Sequence, residues 1–177
     1  MLNPFATETV TFETPIAMLI ACHDRVRQYA ALTETLALHL QQQGADAAAV
    51  AGAQSILRYF DIAAPLHHQD EDEDLFPALL EHASPILRAD IEQVMAEHAE
   101  LAQLWHQVRQ ALLAVIAGDA SRLNLALAQS FAKLYPAHAA KEEIDIYPAA
   151  AQLLDANCLA QLGKNMAARR TDAARSA

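Results

Sequence analysis

Two segments of this chain place a glutamate four residues after a histidine, a pairing whose chemistry is cation binding. They read Pro65-Leu66-His67-His68-Gln69-Asp70-Glu71-Asp72 and Pro136-Ala137-His138-Ala139-Ala140-Lys141-Glu142-Glu143. Each continues, after three more residues, into an aromatic, a proline and an alanine: Phe76-Pro77-Ala78 and Tyr147-Pro148-Ala149. On a helix, positions i and i+4 leave from one face one turn apart, so His67 with Glu71, and His138 with Glu142, form two short ladders. Facing each other, two such ladders make a metal site. The recurrence of proline, histidine, two acids, aromatic and second proline at the same offsets marks an internal repeat.

The elements that must carry these ladders are punctuated in the same repeating way. Thr14-Pro15 and Ser84-Pro85 each put an N-cap residue before a proline at the first helical position, where its missing N–H costs nothing. Gly44 and Gly118 supply stops, and Asp46, and Asp119 or Ser121, can cap the helix that follows. Helix 1 is expected over about 15–43 and helix 3 over about 85–117, with His23 and His98 inside their apolar stripes. Helices 2 and 4 hold the ladders and should fade near Phe76 and Tyr147, with short helical pieces over 77–82 and 148–154. A fifth helix near 156–170 should pack outside through Leu159, Leu162 and Met166. Pro65 and Pro136, two residues before the ladder histidines, should kink or bulge their helices.

Height in a bundle follows from distance along the chain, at about 1.5 Å per residue. His23 lies 21 residues before Gly44 and His67 lies 23 after it; His98 lies 20 before Gly118 and His138 lies 20 after it. If the two hairpins pack with their turns at one end, four imidazoles and two carboxylates meet in one layer.

The chain as a whole permits such a site. At 177 residues it is a comfortable single domain, 54% apolar with only four glycines, so an all-α protein is the default. The expected architecture is an up-down antiparallel four-helix bundle over residues 15–154, preceded by an extension over 1–14 and followed by a C-terminal helix and tail over 155–177. A net charge of −10 argues against nucleic acid or an anionic membrane as partner. No apolar run of membrane-spanning length and no signal core is present, which reads as a soluble, cytoplasmic chain. Cys22 and Cys158 read as two buried thiols, and the basic run from Arg169 to Arg175 as a frayed tail.

Buried imidazoles and carboxylates need a cation between them, and two divalent ions fit two glutamates and four histidines. Imidazole suits iron, copper, nickel or zinc, and carboxylates shared by two ions are typical of di-iron sites in helical bundles. The chain resembles the hemerythrin-like, or HHE cation-binding, domain family over roughly residues 16–150, and the paired His-x-x-x-Glu motifs with their aromatic-Pro sequels carry that resemblance. It implies two non-haem iron ions, each bound by histidines and bridged by two carboxylates and an oxo or hydroxo group. By position it implies the metal ligands His23, His67, Glu71, His98, His138 and Glu142. Oxygen-carrying members have a further histidine four residues after the helix 3 ligand, where this chain has Ala102; the symmetric set is similar to the iron-sulfur-repair and stress-associated branch. That branch carries a cysteine near its N-terminus, and residues 1–14 here contain none.

The expected function is therefore a non-haem di-iron protein that binds a small diatomic ligand, oxygen or nitric oxide, in sensing or stress response. The alternatives are a di-iron enzyme acting on peroxide, oxygen or nitric oxide, or an iron donor for cluster repair, and a metal-free or zinc-bound bundle acting through protein contacts. A homodimer through the outer helix is compatible with the sequence. Two readings stay open at single residues: His68 and Asp72 are also four apart and compete with His67 and Glu71, although the repeat favours His67 because Ala139 stands opposite His68. The run from Asp70 to Asp74 reads as a solvated face apart from Glu71, while His39, His82 and His106 read as surface groups, His106 with a secondary chance of lying behind the site.

Overall fold

A computed structural model describes residues 10–176; residues 1–9, most of the expected N-terminal extension, and residue 177 lie outside the described residues. Among the described residues the regular structure is helical throughout. Helix α1 (Pro15–Gln43) opens on Pro15, and buries Leu19, His23, Val26, Ala30, Thr33, Leu36 and Leu40, a row with steps of three or four. It stops at Gly44, whose φ of 77° is open to a residue without Cβ. Asp46 then caps α2 (Ala47–Arg58) by accepting from the Ala49 N–H.

After α2 the chain does not fade. It passes through a wide π turn (Tyr59–Ala63) into α3 (Ala64–Asp70), through a second π turn (Glu71–Leu75), and into α4 (Phe76–Leu80). Ser84 caps the long α5 (Pro85–Ala117) by accepting from Leu87 N–H, and Gly118, at φ 79° and ψ 8°, ends it in the left-handed conformation. The next cap is Asn124, which accepts from Leu127 N–H, and not the expected Asp119 or Ser121. Asp119 and Ala120 instead close the C-terminal turn of α5, their N–H groups both donating to Ala114 O. Helix α6 (Leu125–Lys141) leads through a third π turn (Glu142–Ile146) into α7 (Tyr147–Leu153), and α8 (Ala156–Ser176) closes the chain.

The prolines explain two of the wide turns. A proline clashes with the carbonyl four residues back and offers it no N–H. In the two ladder segments the preceding residue reaches one step further: Phe76 N–H donates to Glu71 O and Tyr147 N–H to Glu142 O, which opens the turn ahead of Pro77 and Pro148. Pro65 likewise follows a π turn, but Pro136 sits inside α6 with no wide turn before it, so the expected bulge appears at only one of the two.

Helix α1 packs beside α2 and α6, and α5 beside the same two, so the helices form a closed ring of neighbours: a helical bundle. Its interior is apolar at both ends. One cluster holds Val26, Phe60, Leu101, Trp105, Phe131 and Tyr135; the other holds Leu19, Phe76, Ile91, Val94, Ile146 and Tyr147. The histidines fall between them on α1, α3, α5 and α6, for example His23 between Leu19 and Val26, and His98 between Val94 and Leu101.

Helix α8 lies against α1 and α3 and buries Leu162 and Met166, as its apolar spacing suggested. Its end corrects the expectation of a frayed tail. Arg169 and Arg170 pair with Asp70, which is fully buried, at 2.9 and 2.8 Å, so the helix persists to Ser176. Cys22 and Cys158 are both free and only partly buried. No described helix is long and apolar enough to cross a membrane.

Candidate metal centre

All six residues singled out by pattern and resemblance reach the bundle interior, and each is at most 6% exposed. Glu142 lies at the middle: its Oε2 is 3.1 Å from His23 Nε2, and its Oε1 is 3.1 Å from His138 Nε2 and 3.4 Å from His98 Nε2. Glu71 Oε2 stands opposite, 3.5 Å from His67 Nε2 and 3.6 Å from His98 Nε2. His67 Nε2 and His23 Nε2 are 2.9 Å apart. Nitrogens and oxygens of four different helical segments thus point at common centres.

Every element contributes for a local reason. The ladder histidines and glutamates share faces because they are four apart, and the π turns begin at the glutamates themselves, Glu71 and Glu142. Wide turns of this kind cluster at functional sites because they rotate the side chains that follow.

The outer nitrogens of three imidazoles are held by carboxylates. His23 Nδ1 bonds Glu143 Oε1 at 2.8 Å, His98 Nδ1 bonds Asp72 at 3.0 Å, and His138 Nδ1 bonds Glu97 Oε2 at 3.0 Å. Glu143 is in turn bound by Arg27 at 2.8 Å, and Glu97 by Lys141. A carboxylate on Nδ1 places the proton there and leaves the Nε2 lone pair facing inward, the arrangement of metal-bound histidine. His67 differs, because its Nδ1 has no partner.

Orphaned atoms supply the fit test for a cation. Glu71 Oε2, Glu142 Oε2 and His138 Nε2 are buried without a hydrogen bond, and all three face the centre. Such groups are costly unless something positive lies between them. The donors are oxygen and nitrogen with no thiolate, which suits iron and other borderline divalent ions. The ligand atoms of His23, His67, Glu71 and Glu142 lie within 4.8 Å of one another, and so do those of His68, His98 and His138. With bonds of about 2.1 Å, two donors on one ion are at most about 4.2 Å apart, so the first set closes on a cation with movements of a few tenths of an ångström; in the second, His68 and His98 are stacked in parallel and their lone pairs lie in separate planes.

Protonation without metal shows the strain of holding these groups together. Burial, and next the charge of Glu142, push the Glu71 carboxyl well above its usual range. Burial acts on Glu142 too, but the imidazoles of His138, His23 and His98 beside it outweigh it and hold that carboxyl well below its usual range. Burial and His23 keep His67 neutral, whereas for His98 burial is overcome by Asp72 and Glu142, and its pKa rises to about 9.

The roles of four participants escaped sequence reasoning. Asp72 and Glu143 are the second acid of each repeat; each reaches the histidine of an odd helix, and their recurrence was the signal. Glu97, next to His98, had no such mark. Tyr147, the aromatic of the second repeat, donates its hydroxyl to Glu71 Oε1 at 2.5 Å and lies 3.3 Å from His23 Nε2, while its counterpart Phe76 stacks on His98. The acidic run is therefore not a solvated face: among Asp70 to Asp74 only Glu73 is exposed. His68 enters as well, its ring parallel to that of His98 at 4.0 Å, so the competition between His67 and His68 ends with both directed inward. His39, His82 and His106 lie away from the site, and His106 is exposed.

A helical bundle whose buried middle layer is built of imidazole and carboxylate defines a metal-binding helical protein. The chain belongs to the hemerythrin HHE cation-binding domain family, whose profile matches residues 14–150. It is also similar to an uncharacterised protein of Haemophilus influenzae, with 33% identity over 160 residues that span 90% of this chain and 92% of the relative.

Proposed function

We propose that this protein is a non-haem di-iron protein that binds oxygen or nitric oxide in a sensing or stress-response role. The observation that carries the reading is the double set of inward lone pairs, with Glu71 and Glu142 between them and carboxylates behind three of the histidines. His23, His67, His98 and His138 would hold the ions terminally, and Glu71 and Glu142 would bridge them. Two ferrous ions would supply electrons and exchangeable positions for a small ligand. The apolar clusters on either side keep this layer away from bulk water. Around it we assign residues 15–154 to an up-down antiparallel bundle and 155–177 to an outer helix, in a cytoplasmic protein.

The test is anaerobic loading with ferrous iron, a count of ions per chain, and exposure to oxygen or to nitric oxide. Two ions per chain, with new near-ultraviolet and visible charge-transfer absorption on exposure to one of the gases, is the expected result. Two bound ions with no spectral response to either gas would refute gas binding, and a failure to retain two ions would refute the centre. One observation favours an enzyme acting on peroxide, oxygen or nitric oxide: the buried Tyr147 O–H, a proton donor 3.3 Å from His23 Nε2. Multiple turnovers per centre that slow in Tyr147→Phe would establish that reading.

A further inference from the structure

The two repeats differ where the first one meets α8. At the offset that aligns His67 with His138, Asp70 corresponds to Lys141, Glu73 to Ile144 and Asp74 to Asp145. In the second repeat Lys141 is partly exposed, and Ile144 and Asp145 are exposed. In the first, α8 lies against α1, α3 and the π turn Glu71–Leu75, and all three acids are bound by it. Arg169 reaches Asp70 at 2.9 Å, Glu73 at 3.0 Å and Asp74 at 2.5 Å. Arg170 takes the other oxygen of Asp70 at 2.8 Å, and Asn165 donates to Asp74 at 2.7 Å. Glu73 is solvated and adds little, whereas Asp70 is fully buried.

The position of this clamp gives it a role beyond holding α8 down. Asp70 immediately precedes the π turn that begins at Glu71, and Asp74 lies near its other end, so α8 grips both flanks of the turn that presents a glutamate to the centre. A buried carboxylate stripped of both guanidinium partners is too costly to keep in place. It must swing toward water, and Glu71 is the next residue along the backbone. The turn of Glu142 is secured differently, through Glu143 to Arg27 on α1 at 2.8 Å.

We propose that Arg169 and Arg170 are positioning residues for Glu71, so that docking of α8 and occupation of the centre by metal strengthen each other. This rests on the di-iron reading above and deepens it by naming the element that responds to the site. By linkage, the factor by which metal holds α8 down equals the factor by which docked α8 raises metal affinity. Loss of the ions would loosen α8 and bare Leu162 and Met166, which are buried when it is docked. The state of a centre enclosed in the bundle thus becomes legible at the surface.

The experiment is amide hydrogen exchange on the full chain, chelator-treated and loaded with ferrous iron, with the iron counted on the same samples. Amides of α8 that exchange by local detachment, recognised by their indifference to low urea, do not sense global stability. Iron slows them only through the coupling. They should exchange on the order of tenfold more slowly in the loaded protein. The Arg169→Ala/Arg170→Ala variant should bind iron more weakly by the same factor in competition with a chelator, and its α8 amides should no longer respond to iron. Should the double variant not fold, Arg169→Ala alone should show both changes in part. Ile56→Val, in the apolar cluster away from α8, should lower stability and leave iron affinity unchanged. Equal α8 exchange with and without two bound irons, α8 exchange by global unfolding alone, or arginine variants with wild-type iron affinity would each overturn the proposal and leave the di-iron reading intact. Wild-type protein that binds fewer than two irons would defeat both, and the iron count separates that outcome from the others.

Discussion

Replacing Glu71 by glutamine should change stability in opposite directions with and without metal. In the metal-free protein the Glu71 carboxyl is fully buried, and its pKa is raised well above 4.5 by burial and by Glu142. A group whose folded pKa is raised contributes its stability below the unfolded value and loses it as pH climbs. Above pH 4.5 the folded chain must keep a proton that the unfolded chain releases, at about 1.4 kcal/mol per pH unit. At pH 7 this amounts to about 3 kcal/mol, a ceiling reached if Glu71 is still protonated there. Glutamine is neutral at every pH and keeps the geometry: its Oε1 can accept from Tyr147 O–H as Glu71 does at 2.5 Å. Its amide can donate toward His67 Nε2, 3.5 Å from the present Oε2. Chelator-treated Glu71→Gln should thus be more stable than wild type at pH 7 by up to about 3 kcal/mol, and equal to it near pH 4.5. In Tm this is a rise of about 6–12 °C for a chain of this size. With iron the order should reverse, because an amide is a poor bridge between cations. Urea unfolding of both proteins at pH 5 and pH 7, with and without iron, decides the matter. A metal-free variant less stable than wild type at pH 7, or a difference that does not vary with pH, would refute the reasoning.

The remaining predictions concern the groups around the centre. His98, with a metal-free pKa of about 9 against 6.5, adds stability below pH 6.5 that fades as pH rises through about 9. Its ring protons should titrate near that value by NMR in chelated protein, whereas those of His67 should show no protonation near pH 6.5. Glu97→Gln and Glu143→Gln remove the carboxylates behind His138 and His23, and iron affinity should fall about 10- to 100-fold in competition with a chelator. Arg169→Ala or Arg170→Ala alone leaves Asp70 one partner and should cost about 1 kcal/mol in urea unfolding. The double variant strands a buried carboxylate and should cost about 3–5 kcal/mol, more than the sum of the singles. Gly163→Ala would ordinarily stabilise a helix by about 1 kcal/mol. Here a Cβ would stand 1.9 Å from Phe12 O, so Tm should fall as the segment around Phe12 is pushed off α8.

Much of the fold could be read along the chain because it is written in local chemistry. Capping at Asp46 and Ser84, glycine stops at 44 and 118, and stripes of apolar residues specify helices without reference to anything distant. The cap of α6 was misplaced because Asp119, Ser121 and Asn124 are all competent residues, and only the packing of residues 119–123 selects among them. The tail was misjudged for a similar reason. Its arginines look like those of a solvated end until Asp70, about a hundred residues earlier, is found buried beneath them.

At the centre the same division holds. Sequence by itself determined that each ladder presents a histidine and a glutamate on one face, and that four histidines stand at similar distances along the chain from the hairpin turns, because helical rise and rotation are fixed per residue. Tertiary structure alone decided what each side chain meets across the bundle: that Asp72 reaches His98 and Glu143 reaches His23, that Tyr147 bonds Glu71, and that His68 lies on His98. Those pairs join residues on different helices, up to 120 positions apart for His23 and Glu143, and their geometry depends on how the helices are rotated and widened against one another, which no local periodicity encodes.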